Sequence, residues 1–588
     1  MRKHLELTTA AAFAAALGFG AAPALAQPGT WTAMPMDTVT GLPHRNVALL
    51  TDGSLMAQEE NADGHVWTRL SPDLTGSYLN GTWRPAGSTQ VDRRYYPFAV
   101  LRDGRFFIAG GEDLGANESD HNVVEIYDPL TNAWSVAAPG LFGDIGDVAN
   151  QVLADGRVIV GYRWDGRTQA YDPATNQWTQ TATRAAAVGT EETWSLLPNG
   201  TVLDWTAPQP VRYLPSTNQW VNDAVPPFTM QNTDAEIGPG VFLYNGKLLA
   251  FSAFGRTAIY TPGASVTANG TWAAGPSTPA PAQSNGNPYN AQYTEDTAAC
   301  IEVNGKVLVV TSDTIFGAGR FAEYDPTTNT ISQIPNPPGV ATNRESYLFQ
   351  MVALPTGQIL VTGTNTNDFL YTPAGGPQTQ WRPSITSIAA NSNGTYTLTG
   401  RQLNGLSQGA SYGDEGNAQT NFPLVRLTSG STVRYARTFS HSTMGFATGS
   451  AAVQTTFTLP PNLPSGTYQV AVVANGIDSA TVPLTVTTNQ IGATVSLTSQ
   501  WESGYCANVT VTNTQATTIN HWTVVMDVGA ATQNAQWQAT FTQAGSTLTA
   551  TNTSNNGTLA PGAQTTFGFC TQMPAPVRGP LVTSASGS

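Results

Sequence analysis

Charge is what this chain has least of. Only 11% of its 588 residues are Asp, Glu, Lys or Arg, against about 25% in an ordinary soluble domain. That excludes coiled coils and long helices laced with ion pairs. Basic residues are the scarcer kind: 25 Lys and Arg stand against 39 Asp and Glu, for a net charge of −14. A chain of that sign has no general attraction for nucleic acid or anionic lipid. Cysteine is rare as well, with three in all, so this is no disulfide-dense mini-scaffold. Past the N-terminus no apolar run approaches the roughly 18 residues of a membrane span. The place of charge is taken by 57 Gly, 39 Pro and many Thr, Asn and Gln, with 40% hydrophobic residues to build cores. The glycines follow no three-residue period, which excludes collagen. What is left is a turn-rich β protein.

The N-terminus has its own pattern. Arg2, Lys3 and His4 precede an Ala-rich run from Ala10 to Ala22, and Ala24-Leu25-Ala26 forms a small-x-small cleavage site. Residues 1–26 therefore read as a secretory signal peptide and are set apart from fold reasoning. A membrane anchor fits less well, because the run is short and broken by Gly18, Gly20 and Pro23. The expected location is extracellular, in an oxidising medium of the kind a bacterial secreted protein meets.

A repeat dominates the next 350 or so residues. Seven times a short apolar strand meets a tight turn and a second apolar strand, as in VALLTDGSLMA, AVLRDGRFFIAGG and QVLADGRVIVG. The turn glycines are Gly53, Gly104, Gly156, Gly200, Gly246, Gly305 and Gly357. Asp-Gly and Asn-Gly are strong hairpin signals, because such turns need positive φ. An aromatic and then a Trp-bearing strand follow most hairpins, as in IYDPLTNAWS and AYDPATNQWTQ. Each block of about 50 residues thus supplies four antiparallel strands. Seven such sheets predict an all-β, seven-bladed kelch-type β-propeller over 28–382. Whether GTWTAMP (29–35) completes the last blade is not decided by the period. The blade tryptophans are expected to pack between blades.

These repeats resemble the kelch propellers of the galactose oxidase and glyoxal oxidase group. Residues 383–488 alternate polar and apolar in short runs (TYTLTG, GTYQVAVVANG) and resemble the immunoglobulin-like sandwich that follows the propeller in that group. Residues 491–571 are similar to a family 2 carbohydrate-binding module, through QW…GYCANVTVTNT, NHW, the second Trp before TFTQAGSTLT, GTLAPG and FGFC. The tail 572–588 is expected to be flexible. Cys506 and Cys570 fall inside the module and are expected to form a disulfide. Its loop of about 64 residues would be worth on the order of 4 kcal/mol. Cys300, in the apolar AACIEV, is expected to be a buried thiol.

The resemblance implies candidate sites. Trp501 and Trp537 are the expected sugar-stacking residues of the module, while Trp522 maps onto its core. Asn555 stands where that family often has a third surface aromatic. In the copper radical oxidases two Tyr and two His hold copper on the propeller axis, and one Tyr is cross-linked to a Cys. RRYYPFAVLRDG offers Tyr95 or Tyr96 for the cross-linked Tyr. ESYLFQMVALPTG offers Tyr347, and TFSHSTMG offers His441. The His expected after Tyr347 is Leu348, and no Cys exists in the first two blades. One ligand and the cross-link are thus absent, so copper is a weak expectation resting on Tyr347 and His441. The same position, some eight residues before each turn, also collects His44 and a set of acids: Asp147, Glu191, Glu192, Glu236, Glu295 and Asp296. They could coordinate Ca²⁺, bind a polyol, act as an acid–base pair, or simply line a solvated acidic mouth.

The expected function is therefore a secreted, monomeric polysaccharide-binding protein with a degenerate radical-oxidase propeller, anchored on cellulose, chitin or xylan. One alternative is an enzyme at the axis, either a divergent copper oxidoreductase or a carboxylate-based hydrolase or lyase. The other is a surface adhesion or scaffold protein.

Overall fold

The computed structural model describes residues 28–588 apart from 61–63, 113–120, 185–191, 233–235, 284–285, 341–342, 413–420, 462, 487–490, 502, 516 and 574–578. The signal-peptide reading and Glu191 lie outside the described residues. Among the described residues no helix is long and apolar enough to cross a membrane.

Residues 30–372 form seven four-stranded antiparallel sheets. The innermost strands are His44–Leu49, Phe98–Val100, Asn150–Val152, Trp194–Leu196, Gly240–Phe242, Ala299–Ile301 and Gln350–Ala353, taken here as blades 1 to 7. Every one of these strands is fully buried. Burial on both faces is why none shows a polar–apolar alternation, and polar members such as Asn46, Asn150 and Gln151 are hydrogen-bonded inside. The ring is closed by Thr30–Ala33, which pairs with Phe369–Thr372 as the outer strand of blade 7. The N-terminal segment that the period left open thus joins first and last blade.

One local device recurs at the outer turns. Asn132, Asn176, Asn218 and Asn329 have φ between 52° and 54°, a left-handed turn that Asn tolerates. Each accepts a hydrogen bond from the Tyr five residues before it, over 2.6 to 3.1 Å. The outer-strand tryptophans then tie blades together. Trp31, Trp178 and Trp272 each donate their indole N–H to a backbone carbonyl of the preceding blade or the loop leaving it, at Pro335, Ala138 and Ala224. His44 is a further link. It is buried, stacked on Trp83, and held by Asp368 of blade 7 at 2.6 Å and Asp37 at 3.3 Å. Burial opposes its charge, but the two carboxylates push its pKa up to about 9.

The inner hairpin turns all lie at one end of the propeller, and the second domain packs there. Thr438 donates its N–H to Thr51, Ser440 to Arg102 and Met444 to Ala154. This domain, 384–486, holds eight strands. Strand Thr432–Phe439 pairs with Leu424–Ser429 along its first half and with Val453–Thr458 along its second, which joins the two halves of the sandwich.

The C-terminal unit is two four-stranded sheets around a core that includes Trp522 stacked on Phe567 at 5.2 Å. Cys506 and Cys570 are direct cross-strand partners and are joined as a disulfide. The tail is not loose. Leu581–Gly587 is a strand that pairs with Trp522–Asp527 and so covers an edge that would otherwise be open. Its small residues explain why composition hides it. A Cβ on Gly587 would stand 2.6 Å from the Ile519 side chain, so a larger residue would force that side chain to move, and Ala585 is buried.

Candidate functional site

Two places bring together residues that could do chemistry. The first is a sheet face of the C-terminal unit. Strands Gly492–Trp501, Gly504–Thr512, Gln564–Gln572 and Thr532–Trp537 lie side by side in that order. Side chains alternate across a strand. Tyr505, Ala507, Val509 and Val511 point into the core, so Gly504, Cys506 and Asn508 point outward. Trp501 pairs with Gly504 on one edge, and Trp537 pairs with Gly568 on the other. Gly568 and Asn508 are themselves partners, so both indoles lie on the same outer face. Each rests on its glycine: a Cβ at 504 would stand 2.8 Å from the Trp501 ring, and one at 568 would fall within Trp537. Flat indoles thus cover bare backbone, yet stay 42% and 38% exposed. Large aromatics left that exposed on a regular sheet are costly unless they meet a ligand. From strand spacing and rise, the two rings stand roughly 20 Å apart on a diagonal. Trp522, by contrast, is buried.

The second place is the propeller axis, at the end away from the hairpin turns. Tyr95 and Tyr347 come together there, close enough to raise the Tyr347 phenol electrostatically, behind the larger effects of burial and its 2.8 Å hydrogen bond to Glu345. Tyr95 and Tyr96 differ in their surroundings. Tyr96 is buried and donates to Gln58 at 2.7 Å inside blade 1, while Tyr95 is half-exposed under the Arg45 guanidinium, 4.5 Å from its ring centre. Tyr95 has φ 50°, and so does Asp296 at the matching point of blade 6.

His441 does not join them. It is buried at the opposite, hairpin-turn end, where its carbonyl accepts from Arg102 Nε at 2.5 Å and its Nδ1 meets Thr455 at 2.9 Å. Burial, with Arg102 and Arg437 nearby, pulls its pKa down to about 3. Leu348 is buried in a short 3-10 turn, Ser346–Leu348. What enters the axis from the second domain is another segment, Ser407 to Tyr412. Gly409 and Ser411 bridge to Val241 and Trp194, and Gln408 donates to Gln151 at 2.7 Å. At its tip the Tyr412 hydroxyl donates to Glu236.

The acids do not form one solvated ring. Asp147, Glu192, Glu236, Glu295 and Asp296 are all buried. Glu192 is tied to Arg184, which also binds Asp204 at 2.6 Å. Burial and Asp204 raise the Glu192 pKa. Asn232 donates to Glu295 at 3.1 Å and accepts from the Glu236 N–H at 2.9 Å. Glu236, Glu295 and Tyr412 thus meet through Asn232. Glu192, Glu236 and Glu295 are thus taken up in internal ties, as buried carboxylates must be.

Comparison with known proteins agrees with this division. Residues 491–588 match the cellulose binding domain of family 2, and residues 93–140 match the kelch motif. This chain is a kelch propeller joined to a family 2 cellulose-binding domain. Exoglucanase B of Cellulomonas fimi is 46% identical over 102 residues, which is 16% of this chain and 9% of that enzyme. Chitinase C of Streptomyces lividans is 38% identical over 127 residues, 21% of this chain and 18% of that enzyme. The chain therefore spans under a fifth of these curated relatives. A solved fungal alcohol oxidase of the AA5 family, in complex with copper, is 15% identical with a TM-score of 0.44, covering 79% of this chain and 99% of the other.

A copper–radical centre does not fit the residues present. Of the expected ligands, only Tyr95 and Tyr347 are together. His441 is at the other end, Leu348 cannot ligate, and Cys300 is buried in blade 6 with its thiol pushed up by burial. Among the described residues no three His, Cys, Asp or Glu gather closely enough to hold a metal ion. Arg45 and Arg94 stand beside the tyrosines instead, and cationic side chains repel a metal ion. Sequence reasoning missed Tyr412, Asn232, Arg45 and Arg94. A signal existed for Tyr412: SQGAS is a run of small side chains, the kind that fits a crowded axis, directly before it.

Proposed function

We propose that this is a secreted bacterial polysaccharide-binding protein whose cellulose-binding domain anchors it to an insoluble glycan of the cellulose, chitin or xylan type. We also propose that its propeller carries a degenerate copper–radical site. The observation that supports the anchor is the pair of indoles, Trp501 and Trp537, lying on glycines on one sheet face. Sugar rings have apolar C–H faces that stack on indole, and a flat polysaccharide surface suits two indoles on one sheet face. The face carries no Lys, Arg, Asp or Glu at the outward positions of its two central strands, which suits a neutral polymer.

Microcrystalline cellulose and chitin should deplete the protein from solution, and Trp501→Ala with Trp537→Ala should abolish the depletion. Retention of the wild-type protein in solution would overturn the anchor. The degenerate-site reading has its own test. Copper titration should give no stoichiometric binding and no peroxide from galactose or glyoxal. Tight copper binding that Tyr347→Phe removes would favour the oxidoreductase instead. The anchor would serve a ligand-binding propeller by holding it at high local concentration near the fibre.

A further inference from the structure

The propeller presents its own aromatic side chains at one end. Among the described residues its exposed aromatics are Trp164, Tyr289 and Phe316. Trp164 lies between Val158–Val160 and Gln169–Asp172 of blade 3, and Phe316 between Val307–Ser312 and Gly319–Asp325 of blade 6. Tyr289 lies in the connection from Thr271–Ser277 of blade 5 to the inner strand of blade 6. In an antiparallel blade, these connections stand opposite the inner hairpin turns. All three aromatics are therefore at the end away from the second domain. Phe316 leans edge-on against Tyr347 at 5.5 Å, and Tyr289 against Phe254 at 5.9 Å. Trp164 stands out from both. It is 59% exposed, more than Trp501 or Trp537, and among the described residues no other aromatic ring packs on it.

This indole is exposed but not loose. It belongs to the loop Tyr162-Arg163-Trp164-Asp165-Gly166-Arg167, whose side chains are tied on every side. Trp164 Nε1 donates to Asp144 at 2.8 Å, in the connection from blade 2 to blade 3. The Arg163 guanidinium lies over the Trp164 ring, 5.2 Å from its centre, and is ion-paired with Glu112 of blade 2 at 2.9 Å. Arg167 lies over Tyr162 and Phe142, 4.3 and 4.6 Å from their ring centres, and is paired with Asp165 at 2.9 Å. Phe142 is buried and meets Tyr162 at 4.9 Å, which roots the loop in the blade. A ring with a guanidinium over one face can be this exposed only if its other face is open. The open face is thus held in place before any ligand arrives, and a preorganised group loses little freedom on binding.

The surroundings of the ring select among partners. The core of a protein–protein interface is depleted of charged residues, whereas Arg163, Asp144 and Asp165 crowd this ring. A sugar uses both features. Its C–H face stacks on indole, and its hydroxyls donate to carboxylates beside the ring. Asp144 has that capacity: the indole N–H and the Tyr162 hydroxyl occupy two of the roughly four acceptor sites of a carboxylate. The two guanidiniums nearest the ring are paired within the site, Arg163 with Glu112 and Arg167 with Asp165. An acidic sugar would meet carboxylates there, so a neutral one fits.

We propose that Trp164 is a second glycan-stacking position, on the propeller, which holds a neutral β-linked glycan chain of the cellulose or xylan type with one sugar ring on the indole and its hydroxyls toward Asp144. This rests on the polysaccharide-binding reading and extends it from the anchor to the propeller.

The test uses the full-length protein carrying Trp501→Ala and Trp537→Ala, which removes the anchor face. Cellohexaose and xylohexaose are titrated by calorimetry. At least one should bind, and adding Trp164→Ala should weaken that binding by about tenfold or more. Trp164→Tyr keeps a ring and should stay within about threefold of the Trp164 protein. The same hexaose should slow oxidation of Trp164 by N-bromosuccinimide at least about threefold, read by peptide mass spectrometry on the chain with Trp164 intact. No hexaose binding, binding unchanged by Trp164→Ala, or an unprotected Trp164 would each overturn the proposal. So would tri-galacturonate binding more tightly than both hexaoses, or a dimer in sedimentation that Trp164→Ala abolishes, which would give the ring to a second copy of the chain. Depletion of the wild-type protein by cellulose decides the anchor separately. Depletion without hexaose binding would leave the anchor and remove the Trp164 site, and hexaose binding through Trp164 without depletion would do the reverse.

Discussion

The tryptophan face and the axial mouth are both aromatic, yet they are built in opposite ways. The tryptophan face belongs to one sheet. Its two indoles come from regular strands and lie on cross-strand glycines a few residues away along the pairing. The axial mouth belongs to no sheet. Its rings come from loops of separate blades, two in left-handed backbone, above a buried arginine. A flat polymer surface suits the first, since a sheet face is flat by construction. The second is a recess where groups converge from several directions. The difference teaches that aromatic residues alone do not define a glycan site. The backbone beneath them decides what shape of ligand they can meet.

Experiments can pull the two sites apart. Reduction of Cys506–Cys570 should have the largest effect. Losing a 64-residue loop closure should cost the C-terminal domain about 4 kcal/mol. Two calorimetric transitions should then separate, with only the one assigned to the cellulose-binding domain shifting down. A uniform shift of both would show that the regions are not independent. The propeller has a counterpart in His44. Its pKa of about 9 lies above the unfolded value of 6.5. Its stabilisation is therefore complete below pH 6.5 and is lost as pH rises through 9. It amounts to on the order of 3 kcal/mol. The propeller melting temperature should fall across that window, and His44→Gln should flatten the slope.

Smaller effects sharpen the same contrast. Trp501→Ala and Trp537→Ala should each weaken adsorption to cellulose by about tenfold or more, with the melting profile unchanged. Tyr412→Phe removes the donor to buried Glu236 and should cost about 1 kcal/mol in denaturant unfolding of the propeller, with adsorption intact. Gly568→Ala is the mildest. Its methyl would lift the Trp537 indole off the sheet and should reduce adsorption by about threefold, a value below that of the Trp537→Ala change.

Much was legible in the residues. Six Asp-Gly or Asn-Gly turns and one Thr-Gly turn announce the seven inner hairpins, because each needs a positive φ that few residues supply, and all seven turn glycines have it, from 77° to 94°. Trp501 and Trp537 were legible through the motifs that make 491–571 resemble a family 2 carbohydrate-binding module. The axis was not. Tyr95 and Tyr347 could be aligned, but His441 was placed at the wrong end. The segment that enters the axis, Ser407 to Tyr412, is marked only by small side chains. The tail strand Leu581–Gly587 was missed because its Ser, Thr and Gly look like linker until an open edge beside Trp522–Asp527 requires a partner.

By itself, then, the sequence determined what is local: the turns, the recurring short apolar and Trp-bearing strands, and a charge balance with no general attraction for nucleic acid. The tertiary structure decided what is convergent. It closed the ring through Thr30–Ala33 and buried the acids on Arg184 and Asn232. It also set Phe316 against Tyr347 and Arg45 over Tyr95 at the axial end. The physical reason is range. A turn or a pleat is fixed by neighbours in the chain, whereas a site at an axis depends on how seven blades close, and no single blade encodes that.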